Sequence, residues 1–405
     1  MNAILFYMMR KFFYKFFCIF FLLITILAGC TTIPISSKHG HTPINSAPPT
    51  HIALLLPIEG EWVGASQAIR NGFFSAYYAQ HNQENSTNLK ITVYDTTQKD
   101  ISAIYQQAIH AGADRVVGPL TKEEVQTLAQ QTNVAVPTLA LNTLPPSFTS
   151  PDNFYQFSLS PQDEAIQVAQ RAYHDGHLQI FIIAPSNTWG QSIVAKFSEE
   201  WHKLGGSVVD NLTYSAPAEL TNNMETALGI TQSIARAKEI SRVIGQQAIS
   251  VPQHRSDVDA IFLVANPQIA RQVKPLLAFY YAGNIPVYAT SSIYTGTPSP
   301  RTDHDLDGIL FCDMPWVFND PLSIQQARQQ AQELWPSNFR QYPKLYAMGI
   351  DAYRLITQLY PLTTNSQFKI SGMTGILSLD PEYQIHRQLQ WARIQEGLPY
   401  PLHND

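Results

Sequence analysis

Cysteine is scarce in this 405-residue chain: Cys18, Cys30 and Cys312 are all it has. So few thiols cannot build a disulfide framework. The motifs that announce catalysis are missing too. There is no GxxxxGKS/T phosphate loop, no GxGxxG after a strand, no HExxH and no CxxC. No GxSxG elbow occurs. One SxxK match, Ser366-Gln-Phe-Lys369, lacks the KTG partner that serine acyl transfer of that class requires. No polybasic run is present, which argues against a nucleic-acid partner. His174 and His177 flank Gly176 near a helix end, the pattern of a C-terminal cap and not of a zinc pair. Glu59 and Glu61 could pair for acid–base work, but loop acids of this kind more often solvate a turn or meet a polar ligand. The expectation is a chain without catalytic residues, resident metal or cofactor.

The N-terminus is the informative part of what is there. Arg10, Lys11 and Lys15 precede an uncharged apolar stretch of 12 residues, Phe16 to Leu27. A spanning helix needs about 20 apolar residues, so a signal peptide is favoured over an anchor helix. Leu27-Ala28-Gly29-Cys30 then has the shape of a bacterial lipobox. Cleavage before Cys30 would leave its thiol and new amino group to carry lipid. Residue 31 is Thr, and by resemblance to lipoproteins of Gram-negative bacteria the absence of Asp there favours the outer membrane. Loss of residues 1–29 removes three basic and no acidic residues, moving the net charge from −5 to −8. Cys312 is then the one thiol not committed to lipid, and is expected to be buried and inert.

Residues 31–50 are polar and rich in Pro, Ser and Thr, a flexible linker in which His39 and His41 are solvated. Fully extended, it reaches at most about 70 Å. Folded structure begins with the apolar run His51 to Pro57, read as a buried strand. A helical stripe over 64–80 follows, carried by Ala68, Ile69, Gly72, Phe73, Ala76 and Tyr77. Strands at 89–94, 115–117 and 137–141 alternate with helices at 100–111 and 121–131. The alternation starts afresh with helix 161–175, strand 179–184, helix 190–204, strand 207–214, strand 260–265, helix 267–282 and strand 286–290. Two such units predict an α/β fold of two lobes, each a parallel sheet flanked by helices, with a cleft between them. Ligands on such sheets sit beyond the carboxyl ends of the strands, which makes Glu61, Trp62, Thr121, Asn142, Ser186 and Ser291 the candidate lining. Residues 218–256 interrupt the rhythm as a helical insertion, a candidate partner surface carrying Arg236, Lys238, Arg242 and Arg255. A bland excursion capping the lobe is the competing reading.

Two lobes in this order resemble type I periplasmic-binding proteins. More specific strings are Asp257-Val-Asp-Ala-Ile-Phe-Leu-Val-Ala265, Ala270-Arg-Gln-Val-Lys-Pro275, Phe279-Tyr-Tyr-Ala-Gly283 and Pro286-Val-Tyr-Ala-Thr-Ser291. Asp305-Leu-Asp-Gly308, Phe311-Cys-Asp-Met-Pro-Trp316 and Gly372-Met-Thr-Gly-Ile-Leu-Ser-Leu-Asp380 extend the set, with Arg387 and Trp391-Ala-Arg393 after them. Ala68-Ile-Arg-Asn-Gly-Phe73 and Val117-Gly-Pro-Leu120 agree in the first lobe. In this order they resemble the C-terminal domain of the LpoA family, outer-membrane lipoprotein activators of class A penicillin-binding proteins. By analogy with type I binding proteins, the chain crosses between lobes near 158, 286 and 361. Lobe one is then 51–157 plus 287–360, and lobe two 158–286 plus 361–405. Trp316 and Trp391 become core or hinge residues. The better-known members carry a helical-repeat domain where this chain has its short linker.

The resemblance implies a non-enzymatic regulator, tethered to the outer membrane through Cys30 and facing the periplasm, with a class A penicillin-binding protein as partner. The alternative is a lipoprotein that captures a small polar molecule, an amino acid or a cell-wall fragment, in the cleft. Such capture needs polar groups that converge; a cleft filled by the protein's own side chains would exclude it. A third reading, an enzyme of cell-wall turnover, is opposed by the missing motifs.

Overall fold

Each residue of His51–Leu56 is buried, and alternate side chains enter different cores. Ile52, Leu54 and Leu56 join one apolar cluster, and Ala53 and Leu55 another. That two-sided burial is what a strand covered by helices on both faces requires. The structure, a computed structural model, describes residues 46–81, 89–97, 100–130, 133–247, 249–318 and 321–402. The expected signal peptide, Cys30, His39 and His41 lie outside them. No helix among the described residues is long and apolar enough to cross a membrane.

In chain order the elements are β1 (His51–Leu56), α1 (Val63–His81), β2 (Lys90–Asp95), α2 (Ile101–His110), β3 (Arg115–Val117), α3 (Lys122–Ala129), β4 (Thr138–Ala140) and β5 (Phe154–Phe157). Then come α4 (Pro161–His174), β6 (Gln179–Pro185), α5 (Thr188–Leu204), β7 (Ser207–Tyr214), α6 (Pro217–Ala227), α7 (Ile230–Ile244), β8 (Ala260–Leu263), α8 (Pro267–Phe279) and β9 (Val287–Ala289). After α9 (Pro300–Asp303) and β10 (Leu310–Asp313) run four helices: α10 (Pro315–Phe318), α11 (Leu322–Leu334), α12 (Pro336–Gln341) and α13 (Pro343–Thr357). The chain ends with α14 (Leu359–Thr364), β11 (Ile370–Ser371), β12 (Ile376–Leu379), β13 (Gln384–Gln388), β14 (Gln390–Gln395) and β15 (Leu398–Pro401).

The strands form two sheets. The first has order β11-β12-β13-β5-β4-β3-β1-β2, the second β15-β14-β10-β9-β8-β6-β7. The expected two-lobed α/β fold is there, with one correction: the sheets are mixed. From β5 to β2, and from β10 to β7, all pairs are parallel. Each sheet then ends in antiparallel strands, β11–β12–β13 and β10–β14–β15. Short connections joining 376–379 to 384–388 and 390–395 to 398–401 permit hairpins, whereas parallel neighbours need a long crossover.

The lobe boundaries also need correction. The chain leaves the first sheet after β5, near the expected 158. It does not return near 286: Val287 pairs with Ile261, and Leu310 with Tyr288, so β9 and β10 belong to the second sheet. Return comes with α13, whose Met348, Ala352 and Ile356 pack in the first lobe's core. Residues 370–388, assigned to lobe two by analogy, extend the first sheet, since Ile385 pairs with Phe157. The last crossing lies between β13 and β14, at Leu389. A three-residue buried strand is apolar wherever it sits, so composition cannot tell which sheet it joins.

The closest helix packing in lobe one rests on two glycines. A Cβ on Gly72 of α1 would stand 2.1 Å from the Tyr346 carbonyl oxygen of α13, and one on Gly349 2.0 Å from that of Ile69. Both helix axes can approach only because these side chains are hydrogen. Between the lobes the apolar core is continuous: one cluster runs from Phe181 and Ile183 of β6 through Trp316 and Phe339 to Tyr346 of α13 and Ala68 of α1.

Candidate functional site

The carboxyl ends of the parallel strands meet at the seam between the lobes, where a ligand would be expected. The protein's own charged side chains occupy it. Glu164, in the first turn of α4, is 5% exposed. Its carboxylate accepts from the Ser291 amide at 2.9 Å and the Ser291 hydroxyl at 3.1 Å. Arg387 of β13 reaches the same carboxylate from the other lobe at 3.4 Å. Asp313, the last residue of β10, pairs at 2.7 Å with Lys344 of α13, and Lys344 also donates to the Ser291 carbonyl at 3.2 Å. Burial pushes the Asp313 carboxyl up to about 6, against the pull of the Lys344 ammonium. Behind this pair, Asp351 accepts from the Met373 amide (2.8 Å), the Thr374 amide (2.6 Å) and the Thr374 hydroxyl (2.7 Å). Burial raises its carboxyl, and the hydrogen bonds from Thr374 and Met373 oppose the rise. The Trp316 amide donates to the Met373 carbonyl, tying the second lobe's last helices to the 372–375 turn.

The seam has an outer edge. His386 of β13 stands between Asp380, at 2.8 Å, and Asp163 of α4, at 3.4 Å. The Asp163 and Asp380 carboxylates hold its imidazole up to about 10, so it is a cation at neutral pH. It lines an open groove of about 740 Å³ with Asp163, Gln167, Arg171, Asp175 and Trp391. The Arg171 guanidinium lies over the Trp391 ring, 5.4 Å from its centroid, and is held by Asp175 at 2.9 Å.

The six expected lining residues do not converge. Trp62, Thr121 and Asn142 share a cavity of about 340 Å³ with Leu120, Leu141, Leu159, Leu345 and Met348. The two expected polar residues in it, Thr121 and Asn142, are already engaged. Thr121 forms a capping box with Glu124, and the Asn142 amide donates to the Leu120 carbonyl at 3.1 Å while accepting from Thr143. Ser291 is committed to Glu164. Glu61 and Ser186 are exposed. The residues sequence reasoning missed are Glu164, Asp313, Lys344 and Asp351. Their signal was faint: an acid in a helix's first turn, and an acid closing an apolar strand.

On the insertion, the four expected basic residues divide. Arg242 pairs with Glu239, and Arg255 clamps Asp257 at 2.7 Å and Asp210 at 3.0 Å. Arg255 therefore fastens the returning chain to β7 and is not a free partner contact. Arg236 and Lys238 are exposed on α7. Three other expectations hold. Trp316 is fully buried, Trp391 is 7% exposed, and Cys312 is a free buried thiol that burial pushes well above its ordinary range.

Two helix-flanked sheets of this kind place the chain in the class of type I periplasmic-binding-protein-like folds. A solute binding protein of an ABC transporter from R. palustris, in complex with 4-hydroxybenzoate, matches with TM-score 0.56 over 88% of this chain and 96% of that one. At 15% identity it shares the fold alone. A nearer likeness is the LpoA (YraM) C-domain from Haemophilus influenzae, described as a regulator of PBP1A, with TM-score 0.69, 27% identity, 87% of this chain and 100% of that one. The penicillin-binding protein activator LpoA of Photobacterium profundum is 31% identical over 346 residues, 84% of this chain and 55% of its own length. The chain belongs to the LppC family, described as "LppC putative lipoprotein", whose model matches residues 41–397. It spans about half the length of the curated relatives it matches.

Proposed function

We propose that this protein is a lipid-anchored regulator without catalytic chemistry of its own, which binds a class A penicillin-binding protein and stimulates its transpeptidase. Lipid on Cys30 tethers it to the outer membrane, and the two-lobed body faces the periplasm. The observation that carries the reading is the self-paired charge of the seam. Glu164–Arg387 and Asp313–Lys344 pair with one another across the seam between the sheets, and the apolar core continues between the lobes. A body built this way is suited to presenting a fixed outer surface to a partner. Stimulation then follows from differential affinity: the regulator binds the active conformation of the synthase more tightly than the inactive one and shifts the population toward it. The family and its named activators support the partner class.

The test is binding of the full chain, in detergent, to each class A penicillin-binding protein of the same cell. Saturable binding to one of them is expected. No binding to any would leave the fold without this function. The small-ligand alternative rests on the cavity of about 340 Å³ beside Trp62, Thr121 and Asn142, and is opposed by the hydrogen bonds that already engage Thr121, Asn142 and Ser291 within the protein.

A further inference from the structure

α7 is attached to the body at one end. Along its length Ile230 alone is fully buried, and Ile234 is partly buried against the second lobe's core. The returning chain holds the same half: the Arg255 amide donates to the Leu228 carbonyl at 2.8 Å, and the Gln253 amide to the Ser233 hydroxyl at 3.1 Å. Toward the far end, Ile240 is 54% exposed, Val243 73% and Ile244 56%. Three branched apolar side chains so exposed, on one helix of a water-facing body, need an explanation beyond the fold. Their spacing supplies part of one. Arg236, Ile240, Val243 and Ile244 stand at i, i+4, i+7 and i+8, on one side of the helix, the spacing of a helix that lays anchors into a groove.

We infer that this face of α7, Ile240, Val243 and Ile244 with Arg236 beside them, is the docking element that enters an apolar, acid-rimmed groove on the penicillin-binding protein partner. The inference rests on the function proposed above and names the surface. Charge points to the rim. Arg242 and Arg255 in this insertion are neutralised by Glu239, Asp257 and Asp210, whereas Arg236 makes no ion pair with any described residue and sits among the apolar anchors of a chain whose net charge is −5. A second copy of this chain is a poorer occupant, since it would bring another uncompensated Arg236 to the same contact. A lipid surface is poorer too. No Phe, Tyr or Trp occurs between 215 and 261, and interfacial helices draw on aromatic anchors. Lys238 and Arg242 lie on the opposite flank, so Arg236 is the one of the four basic candidates that this surface uses.

The experiment compares the full chain in detergent with I240D/V243D and with R236E, measuring affinity for the class A synthase that the wild type binds. The thermal midpoint is followed in parallel, and all three should share it because the altered side chains are exposed. The double variant should lose at least about tenfold in affinity, the scale of an interface anchor. R236E should bind more slowly and with a weaker dependence on salt. Equal affinity of wild type and I240D/V243D would overturn the inference and leave the proposed function standing. Absence of wild-type binding to any such synthase would overturn both. A third arm uses anionic phosphatidylglycerol vesicles: wild-type binding lost in I240D/V243D, without any change in synthase affinity, would make the occupant lipid and refute the proposal.

Discussion

Replacing Lys344 with Met should separate the two forces that act on Asp313. The carboxylate is 1% exposed, and its ammonium partner lies 2.7 Å away. Burial raises the folded pKa from 3.8 to about 6 even with the lysine present. For an acid with a raised folded pKa, the stabilising contribution is complete below about 4 and fades as pH climbs through 6. About two units at ~1.4 kcal/mol each make that loss about 3 kcal/mol between pH 4 and 7, an order-of-magnitude figure. In the wild type, Lys344 limits the loss. Without it, an ionised Asp313 at pH 8 is a buried charge with no counter-ion, held only by the Met314 amide at 2.8 Å, which costs about 3–5 kcal/mol. At pH 5 the folded carboxyl is already mostly protonated, so Lys344→Met should cost only about 1 kcal/mol, chiefly lost packing of the side-chain stem. Urea unfolding at pH 5 and pH 8 reads the difference directly, and adding Asp313→Asn should restore most of the loss at pH 8. A penalty for Lys344→Met that is equal at the two pH values would refute the reasoning, because it would mean that Asp313 does not titrate in this window.

Two further outcomes follow from the geometry. Gly72→Ala and Gly349→Ala each drive a methyl group into facing backbone, 2.1 Å and 2.0 Å from a carbonyl oxygen, and should each cost about 1–3 kcal/mol or more in urea unfolding; a neutral effect would mean that the helix pair α1–α13 is not tightly apposed. His386, held up to about 10 by Asp163 and Asp380, should keep its proton at pH 8 in an NMR titration of the imidazole. Its folded pKa lies above its unfolded value, so its stabilisation is complete below about 6.5 and vanishes as pH passes 10. Partial exposure of the ring keeps that contribution to about 1 kcal/mol or less, and His386→Gln should remove this part of the pH dependence between about 6.5 and 10; an imidazole titrating near 6.5 would contradict the ion-pair geometry.

The strand and helix rhythm was legible because burial writes it directly. An unbroken apolar run as short as Ile52 to Leu56, closed by Pro57, favours a two-sided strand, and the stripe of Ala68, Ile69, Gly72 and Phe73 has the spacing of a helix face. Strands Arg115–Val117 and Ser207–Tyr214 have the bounds expected of them. Sheet membership was not legible. Val287–Ala289 and Leu310–Asp313 are short buried strands like those of the first lobe, and only long-range pairing assigns them to the second. The candidate lining was sought among loop residues at strand ends, which is where a ligand site would lie. The residues that occupy the seam sit inside elements instead: Glu164 in a helix, Asp313 in a strand, Arg387 in a strand some 220 positions away from its partner. No local pattern brings such residues together. Residues 218–256 were expected to be a helical insertion; α6 and α7 lie in that range and belong to neither sheet, and the free apolar side of α7 was not foreseen. The basic residues of the insertion drew the eye, and two of those are spent on neighbouring acids.

The central claim is that this chain stimulates a class A penicillin-binding protein. The most direct measurement is the rate of peptide crosslinking by each such synthase of the same cell, acting on lipid-linked peptidoglycan precursor, with and without the full-length protein. The account predicts a saturable rise in crosslinking by one synthase, at concentrations that match its binding affinity. An unchanged rate for every synthase, with binding intact or absent, would contradict it.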